Sequence, residues 1–161
     1  MIERLLLDEM LAGLARLLRS GGHDAGLAEA GTPDEEVAAR AASEGRRLVT
    51  RDRLLAARVP GAVLLTTDGT DAQAAELIAA LGLDPAPAPF ARCVVDNALV
   101  RPATEVEAER AAAPAGAEEA FACPACGRVY WAGSHVRRMA ARLDRLRGYS
   151  AGAVREAGSS P

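Results

Sequence analysis

Lysine is absent from this sequence, and all 19 of its positively charged side chains are arginine. A phosphoacceptor receiver domain, which also places aspartates at strand ends, normally holds its phosphoryl group with a lysine. The absence of lysine therefore argues against that class. Contacts to phosphate remain available, because the planar guanidinium of arginine matches phosphate oxygens well.

Long apolar runs are absent too. No stretch approaches the roughly 18 residues of a membrane-spanning helix. Glu3, Asp8 and Glu9 stand in the first ten positions, where a secretory signal would carry basic and apolar residues. We therefore expect a cytoplasmic protein with no membrane association. Its three cysteines, an odd number, fit metal binding in a reducing compartment better than a disulfide framework.

Aromatic residues are few, and all five lie beyond residue 89. Just before that point three prolines alternate with alanine at 85–89, a pattern that favours an extended, semi-rigid spacer. These features predict a first domain at 1–84, a linker at 85–89, a small second unit at 90–148 and a flexible tail at 149–161.

Strands and helices alternate in the predicted first domain. Short apolar stretches at 4–7, 23–27, 47–50 and 62–66 are typical of strands, and amphipathic stretches at 10–20, 32–44, 53–58 and 71–81 are typical of helices. A further helix is predicted at 136–147. Strands separated by helices predict an α/β fold, with a parallel sheet flanked by helices that binds its ligands at the carboxyl ends of the strands.

Aspartates stand at this edge of the predicted sheet. Asp8 follows the first strand, Asp52 follows the third, and Asp34 opens the second helix. Converging carboxylates repel one another unless a cation neutralises them, and oxygen ligands suit Mg²⁺ or Mn²⁺, which activate water for phosphodiester hydrolysis. Asp68 is a candidate for an additional acid, and Thr50 could orient a carboxylate. A purely local role stays open, because aspartate is common in turns and at helix starts.

The segment CPAC at 123–126 is half of a zinc site, since two thiolates three residues apart can bind one tetrahedral ion. Upstream, Cys93 is followed three residues later by Asp96. Three alternatives follow. Asp96 completes a zinc site with Cys93, Cys123 and Cys126; His135 supplies the fourth ligand instead; or no stable metal is bound.

The last stretch of the chain is basic. Residues 121–161 contain seven arginines and only two acidic residues. Arginine can hold phosphates, and an aromatic ring can stack on an unpaired base, so Tyr130 and Trp131 suit single-stranded RNA as well as a small core. A solvated helix face is the alternative for the arginines. The predicted RNA contacts are Arg128, Arg137, Arg138 and Arg142.

Longer segments carry a family resemblance. They are LDEMLAGLARLLR at 7–19, GHD at 22–24, DEEV at 34–37, EGRRLVTRDR at 44–53, FARC at 90–93 and CPACGRVYWAGSHVRRM at 123–139. Together they resemble the Mut7-C ribonuclease family of PIN-like domains over roughly residues 3–146.

The resemblance implies a PIN-like fold, divalent-metal-dependent hydrolysis of RNA and an appended four-cysteine zinc ribbon. Asp8, Asp34 and Asp52 match the acidic positions of the family, whereas its cysteine at position 96 is Asp96 here. PIN-like domains often pair, so a homodimer is one expectation. The predicted function is a Mg- or Mn-dependent ribonuclease. The alternative is a non-catalytic RNA-binding module with the same fold and a degenerate ribbon.

Overall fold

The computed structural model describes residues 3–114 and 119–156, with side chains up to residue 149. Four parallel strands form a sheet in the order β2-β1-β3-β4, where β1 is Leu5–Leu7, β2 is Ala25–Leu27, β3 is Arg47–Thr50 and β4 is Val63–Leu64. The predicted parallel sheet is confirmed. Its fourth strand is shorter than the 62–66 predicted.

Helices cover both faces of this sheet. They are α1 (Ala12–Ser20, after a 3-10 helix at Glu9–Leu11), α2 (Asp34–Ser43), α3 (Arg53–Arg58) and α4 (Thr70–Leu81). Side chains of β1 alternate between the faces: Leu5 and Leu7 pack with α1 and α4, and Leu6 packs with α2 and α3. β1 is therefore continuously apolar, as expected of a parallel strand buried on both sides.

The second unit contains a small antiparallel sheet in the order β5-β6-β7. Its elements are β5 (Arg101–Pro102), α5 (Glu105–Arg110), β6 (Ala120–Ala122), β7 (Val129–Trp131) and α6 (Ser134–Glu156). Helix α5 was not predicted, although Thr104 and Glu107 form a capping box at its start. Helix α6 also differs from the prediction, because it continues past Arg147. Of the tail predicted at 149–161, residues 157–161 lie outside the described residues.

Helix α6 packs on the first unit. Leu143 and Leu146 are buried in the same core as α1 and α4. The proline-rich linker also lies against that unit, with hydrogen bonds from Ala88 N to Gly21 O at 3.1 Å and from Phe90 N to Ser20 O at 2.9 Å. The two units therefore share apolar contacts, and the domain limits stay a prediction.

Within residues 3–114 and 119–156, every helix falls short of the combined length and apolar character that crossing a bilayer requires.

Candidate active site and metal centre

Two of the predicted aspartates lie at the carboxyl edge of the sheet, where the strand order changes direction. β1 lies between β2 and β3, so the chain moves to one side of β1 first and to the other side later. Open α/β sheets bind ligands at such a point, outside the carboxyl ends of the two strands. Asp8 directly follows β1, and Asp52 comes shortly after β3 ends at Thr50.

The Asp8 carboxylate is buried, and both of its oxygens accept hydrogen bonds. Oδ1 accepts from the backbone N–H of Glu9 at 2.8 Å, and Oδ2 accepts from the Thr50 hydroxyl at 2.7 Å. Strand register explains the second contact, because Leu7 lies opposite Val49 and the next residues of both strands are neighbours as well. The predicted role of Thr50 in orienting a carboxylate is confirmed.

The same hydroxyl connects the two aspartates, since Thr50 Oγ1 also accepts from the Asp52 N–H at 3.0 Å. Asp52 Oδ1 caps α3 by accepting from the N–H groups of Leu54 and Leu55, at 2.7 and 3.1 Å. Asp8 caps the 3-10 helix in a similar way. The local role that aspartates have at helix starts is therefore present at both positions, and it fixes the orientation of both carboxylates.

Asp34 and Asp68 are more exposed, and each faces an arginine. Asp34 begins α2, with its Oδ2 3.9 Å from Arg58 Nη1. Asp68 Oδ1 lies 2.7 Å from Arg51 Nη2, and 87% of the Asp68 side chain is exposed. Among the described residues, the aspartates at positions 8, 34 and 52 do not form a group whose ligand atoms all lie within 4.8 Å. A metal-binding role for these acids stays a prediction.

Four residues of the second unit do form such a group: Cys93, Asp96, Cys123 and Cys126. Tetrahedral zinc, with Zn–S near 2.3 Å and Zn–O near 2.0 Å, separates two sulfurs by roughly 3.8 Å and a sulfur from an oxygen by roughly 3.5 Å. Here Cys93 Sγ lies 3.9 Å from Cys126 Sγ. Asp96 Oδ2 lies 3.5 Å from Cys93 Sγ and 3.4 Å from Cys123 Sγ. The group could therefore hold a metal ion such as zinc, with a carboxylate as the fourth ligand.

Two backbone loops of the same form present these ligands. In the first, the Cys93 N–H donates to Ala98 O at 2.8 Å, and the Asn97 N–H donates to Cys93 O at 3.0 Å. Asn97 has a φ of 65°, a left-handed conformation that favours glycine or asparagine.

The second loop repeats this pattern. The Cys123 N–H donates to Arg128 O at 2.9 Å, and the Gly127 N–H donates to Cys123 O at 2.9 Å, with a φ of 71° at Gly127. Asp96 thus occupies in the first loop the place that Cys126 has in the second. The backbone of a cysteine-pair loop is retained although one cysteine is replaced.

Burial and hydrogen bonds act on Cys93 in opposite directions. Burial alone would raise the pKa of its thiol, but the Tyr130 hydroxyl, 3.1 Å from Sγ, and the N–H groups of Asp96 and Val95 bring the pKa below its ordinary value. At the exposed Cys126, the neighbouring Asp96 carboxylate raises the thiol pKa to about 11. A bound dication would oppose this effect, because its charge favours the thiolate form of Cys126.

His135 is exposed in the first turn of α6 and is not one of the four clustered residues. Of the two alternatives for a fourth ligand, the structure brings Asp96 to the cysteines. Tyr130 directs its hydroxyl at Cys93 Sγ, a contact that sequence analysis did not foresee.

The predicted RNA contacts lie on or near α6. Arg142 is already engaged, because its Nε lies 2.6 Å from Asp71 Oδ1 on α4. The other three side chains are exposed: Arg128, Arg137 and Arg138. Contact between these residues and RNA stays a prediction.

The residues that attach the first metal loop to the sheet were not predicted from the sequence. Asn97 Nδ2 donates to Asp24 Oδ1 at 2.7 Å, and Asn97 Oδ1 accepts from the Ala25 N–H at 3.1 Å. Arg19, buried on α1, donates to backbone oxygens of the same loop. One signal was available, since Arg19 follows Ala15 by four residues on the apolar face of its helix.

A cavity of about 700 Å³ lies between this loop and the outer edge of β2. Its walls include Glu9, the neighbour of Asp8, and Asp96 of the metal-binding group. The cavity therefore adjoins the metal-binding group at Asp96 and reaches Glu9, the residue after Asp8.

Fold and site together define an α/β protein with two aspartates at the switch point of a parallel sheet and a Cys/Asp metal-binding group in an attached unit. The chain belongs to the Mut7-C RNAse domain family, which matches residues 3–143. This membership confirms the resemblance and indicates a ribonuclease-type function with RNA as the substrate. Comparison with the curated proteins and with the solved structures finds no match.

Proposed function

We propose that this protein is a Mg- or Mn-dependent ribonuclease of PIN-like fold whose catalytic metal binds Asp8, Asp34 and Asp52. One observation carries the proposal: Asp8 and Asp52 follow neighbouring parallel strands and are joined through the Thr50 hydroxyl, at the point where α/β sheets bind ligands. Their carboxylates are already oriented, so an ion would meet a prepared pair of oxygen ligands.

Asp8 and Asp52 alone are enough to hold a first metal ion. Mg²⁺ is commonly held by one or two carboxylates together with phosphate oxygens and water. Asp8 and Asp52 would hold such an ion, and the ion would supply an activated water for attack on phosphorus. Asp34 would join from the start of α2, because its 3.9 Å contact with Arg58 is a loose, exposed pair that costs little to open. Asp68 is the candidate for an additional acid.

The second unit would hold the RNA. In this proposal zinc binds Cys93, Asp96, Cys123 and Cys126 and fixes the small sheet, from which α6 begins. Exposed arginines of this region supply cations for phosphates: Arg128, Arg137, Arg138 and, if its pair with Asp71 opens, Arg142. The 700 Å³ cavity extends from Asp96 to Glu9, the residue after Asp8, and would give an RNA strand room beside the metal centre.

A cytoplasmic location and a homodimer complete the proposal. The first rests on three cysteines that need a reducing compartment to stay available for metal, and the second rests on the family resemblance.

Cleavage by purified, chelator-treated protein tests the function. Single-stranded and structured RNA are incubated with added Mg²⁺ or Mn²⁺, and products are resolved on gels. Asp8→Asn and Asp52→Asn keep the capping oxygen but lose the charge, so we expect each to lower the rate at least about 100-fold without unfolding the protein. Asp144→Asn removes an exposed carboxylate from α6 and serves as the matched control. Activity that survives both active-site substitutions would overturn the proposal.

A non-catalytic RNA-binding module is the second candidate, and one observation favours it. Asp8 and Asp52 both cap helices, a role that a protein without catalysis needs equally. This candidate predicts equal RNA affinity in EDTA and in Mg²⁺, with no cleavage in either.

A further inference from the structure

Arg19 is the one buried arginine among the side chains that the structure describes, with 5% of its surface exposed. It lies on α1, behind the loop that carries Cys93 and Asp96. A buried guanidinium is unfavourable unless fixed partners replace its hydration. The identity of these partners therefore indicates what the residue does.

Three backbone oxygens accept hydrogen bonds from Arg19. Nε donates to Ala25 O, in β2, at 2.8 Å. Nη1 donates to Val94 O at 3.0 Å and to Val95 O at 2.6 Å. These two valines separate the two ligands of the first metal loop. One side chain thus connects the edge strand of the sheet to the metal centre.

Both loop oxygens belong to peptide groups whose N–H faces Cys93. The Asp96 N–H donates to Cys93 Sγ at 3.5 Å, and the Val95 N–H is placed so that it lowers the pKa of the same thiol. A donor on the oxygen of a peptide group polarises that group and strengthens its N–H as a donor. Arg19 therefore acts on the Cys93 sulfur through two peptide groups without touching the sulfur.

Charge gives a second reason for this placement. Three thiolates and one carboxylate around a divalent ion leave a net charge of minus two. Arginine stays protonated, and its interactions with Cys93 and Asp96 are attractive. The second loop is placed differently, because Pro124 and Ala125 are exposed to solvent. The buried cation lies behind the loop that has the carboxylate in place of a cysteine.

We propose that Arg19 is a positioning residue of the metal centre. By holding the Val94 and Val95 oxygens it directs two N–H donors at Cys93 and offsets the negative charge of the site, and so raises the affinity for zinc. This inference rests on the proposed binding of zinc by the Cys/Asp group.

The inference is tested by the zinc affinity of the whole 161-residue chain. This affinity is measured by competition with a chromogenic chelator. Arg19→Met is expected to weaken zinc binding roughly 10- to 100-fold, the usual effect of losing a residue that orients a ligand. Arg19→Lys keeps the charge, but a single ammonium nitrogen cannot reach both Ala25 O and the two loop oxygens as the separate Nε and Nη1 of arginine do. Its zinc affinity should therefore lie between those of wild type and Arg19→Met. Arg16→Met removes an exposed arginine from the same helix and should leave the affinity unchanged.

Cobalt substitution separates positioning from a general loss of structure. Hydrogen bonds to a thiolate stabilise its lone pairs, so losing them should shift the thiolate-to-Co²⁺ charge-transfer band to lower energy in Arg19→Met, and less in Arg19→Lys. If Arg19→Met does not fold, Arg19→Lys carries the comparison. Wild-type affinity and an unshifted band in the folded variant would overturn the role of Arg19 alone. A wild-type chain that binds no zinc would overturn the zinc site and this inference together.

Discussion

The side-chain amide of Asn97 donates to the carboxylate of Asp24 at 2.7 Å, which links the first metal loop to the residue that precedes β2. Asp24 also accepts from Arg46 at 2.6 Å and from Arg4 at 3.3 Å. One carboxylate thus connects the sheet, the segment before β3 and the metal-binding unit. Its loss should affect the whole protein.

Asp24→Asn is expected to lower the free energy of unfolding at pH 7 by roughly 2 kcal/mol, since one pKa unit corresponds to about 1.4 kcal/mol. Burial opposes ionisation of Asp24, but the hydrogen bonds from Arg46 and Asn97 outweigh it and lower the pKa to about 2. A depressed carboxylate pKa stabilises the fold above the ordinary value near 3.9, and this contribution is lost as the pH falls towards 2. Urea unfolding at pH 7 and pH 3 should therefore show the difference between wild type and variant shrinking with acid.

A surface carboxylate provides the control for this experiment. Glu107 also has its pKa lowered to about 2, by Arg101 and the Thr104 N–H, but these contacts lie at the surface, where solvent weakens charge interactions. Glu107→Gln should change stability little. Equal losses in Asp24→Asn and Glu107→Gln would contradict the central role given to Asp24.

The first unit was predictable because its signals are local. Alternating strand and helix patterns predict the elements, and a parallel sheet then brings Asp8 and Asp52 to one edge. The contact through Thr50 needed only the register of β1 and β3, which places these positions side by side.

The contact of Arg19 with the Cys93 loop and the docking of α6 depend on segments that are far apart in the sequence. Arg19 and the Cys93 loop are more than 70 positions apart, and nothing local to either shows that they meet. Leu143 and Leu146 form the apolar stripe of α6, but a stripe does not identify its partner, which proved to be the first unit. Helix α5 has a local signal in its capping box and could have been predicted.

His23 should make the metal-free protein sensitive to mild acid. Its ring is buried, Nε2 donates to Asp84 O at 2.8 Å, and Nδ1 has no hydrogen-bond partner among the described residues. Burial lowers the pKa of His23 below its ordinary 6.5, against the opposing effect of the Asp84 carbonyl. The stability linked to His23 is therefore fully present above about pH 6.5 and is lost as the pH falls below it, where the unfolded chain takes up the proton.

The measurement is the unfolding free energy in EDTA at pH 7.5 and 5.5. His23→Gln should lose part of the decrease that wild type shows between these values, at a cost of roughly 1–2 kcal/mol at pH 7.5. The only other histidine, His135, is exposed, so His135→Gln should keep the wild-type profile. An identical pH dependence in all three proteins would show that His23 does not titrate against folding.

Gly22 tests whether the proline-rich linker is docked. It has a φ of 96°, and an added Cβ would lie 2.0 Å from the Ala88 oxygen, a backbone atom that cannot give way cheaply. Gly22→Ala should therefore lower the unfolding free energy by more than about 3 kcal/mol. Gly45 has a φ of 59° with open space around it, so Gly45→Ala should cost only about 1–2 kcal/mol. Thermal or urea unfolding compares the two. If Gly22→Ala and Gly45→Ala lowered the unfolding free energy equally, the linker would be a free spacer.

Asp96→Cys is the most direct test of the ligand set. The backbone of the first loop already matches that of the second, so a cysteine at position 96 can occupy the place that Cys126 has in its own loop. Thiolate is the softer and stronger ligand for zinc, and the substitution should tighten binding about tenfold or more, whereas Asp96→Ala should weaken it by a similar factor. Chelator competition measures both changes. Urea unfolding with and without zinc shows whether tighter zinc binding also raises the free energy of unfolding. If both variants kept wild-type affinity, the carboxylate could not be a ligand, and the 3.4 and 3.5 Å contacts of Asp96 with the sulfurs would reflect hydrogen bonding alone.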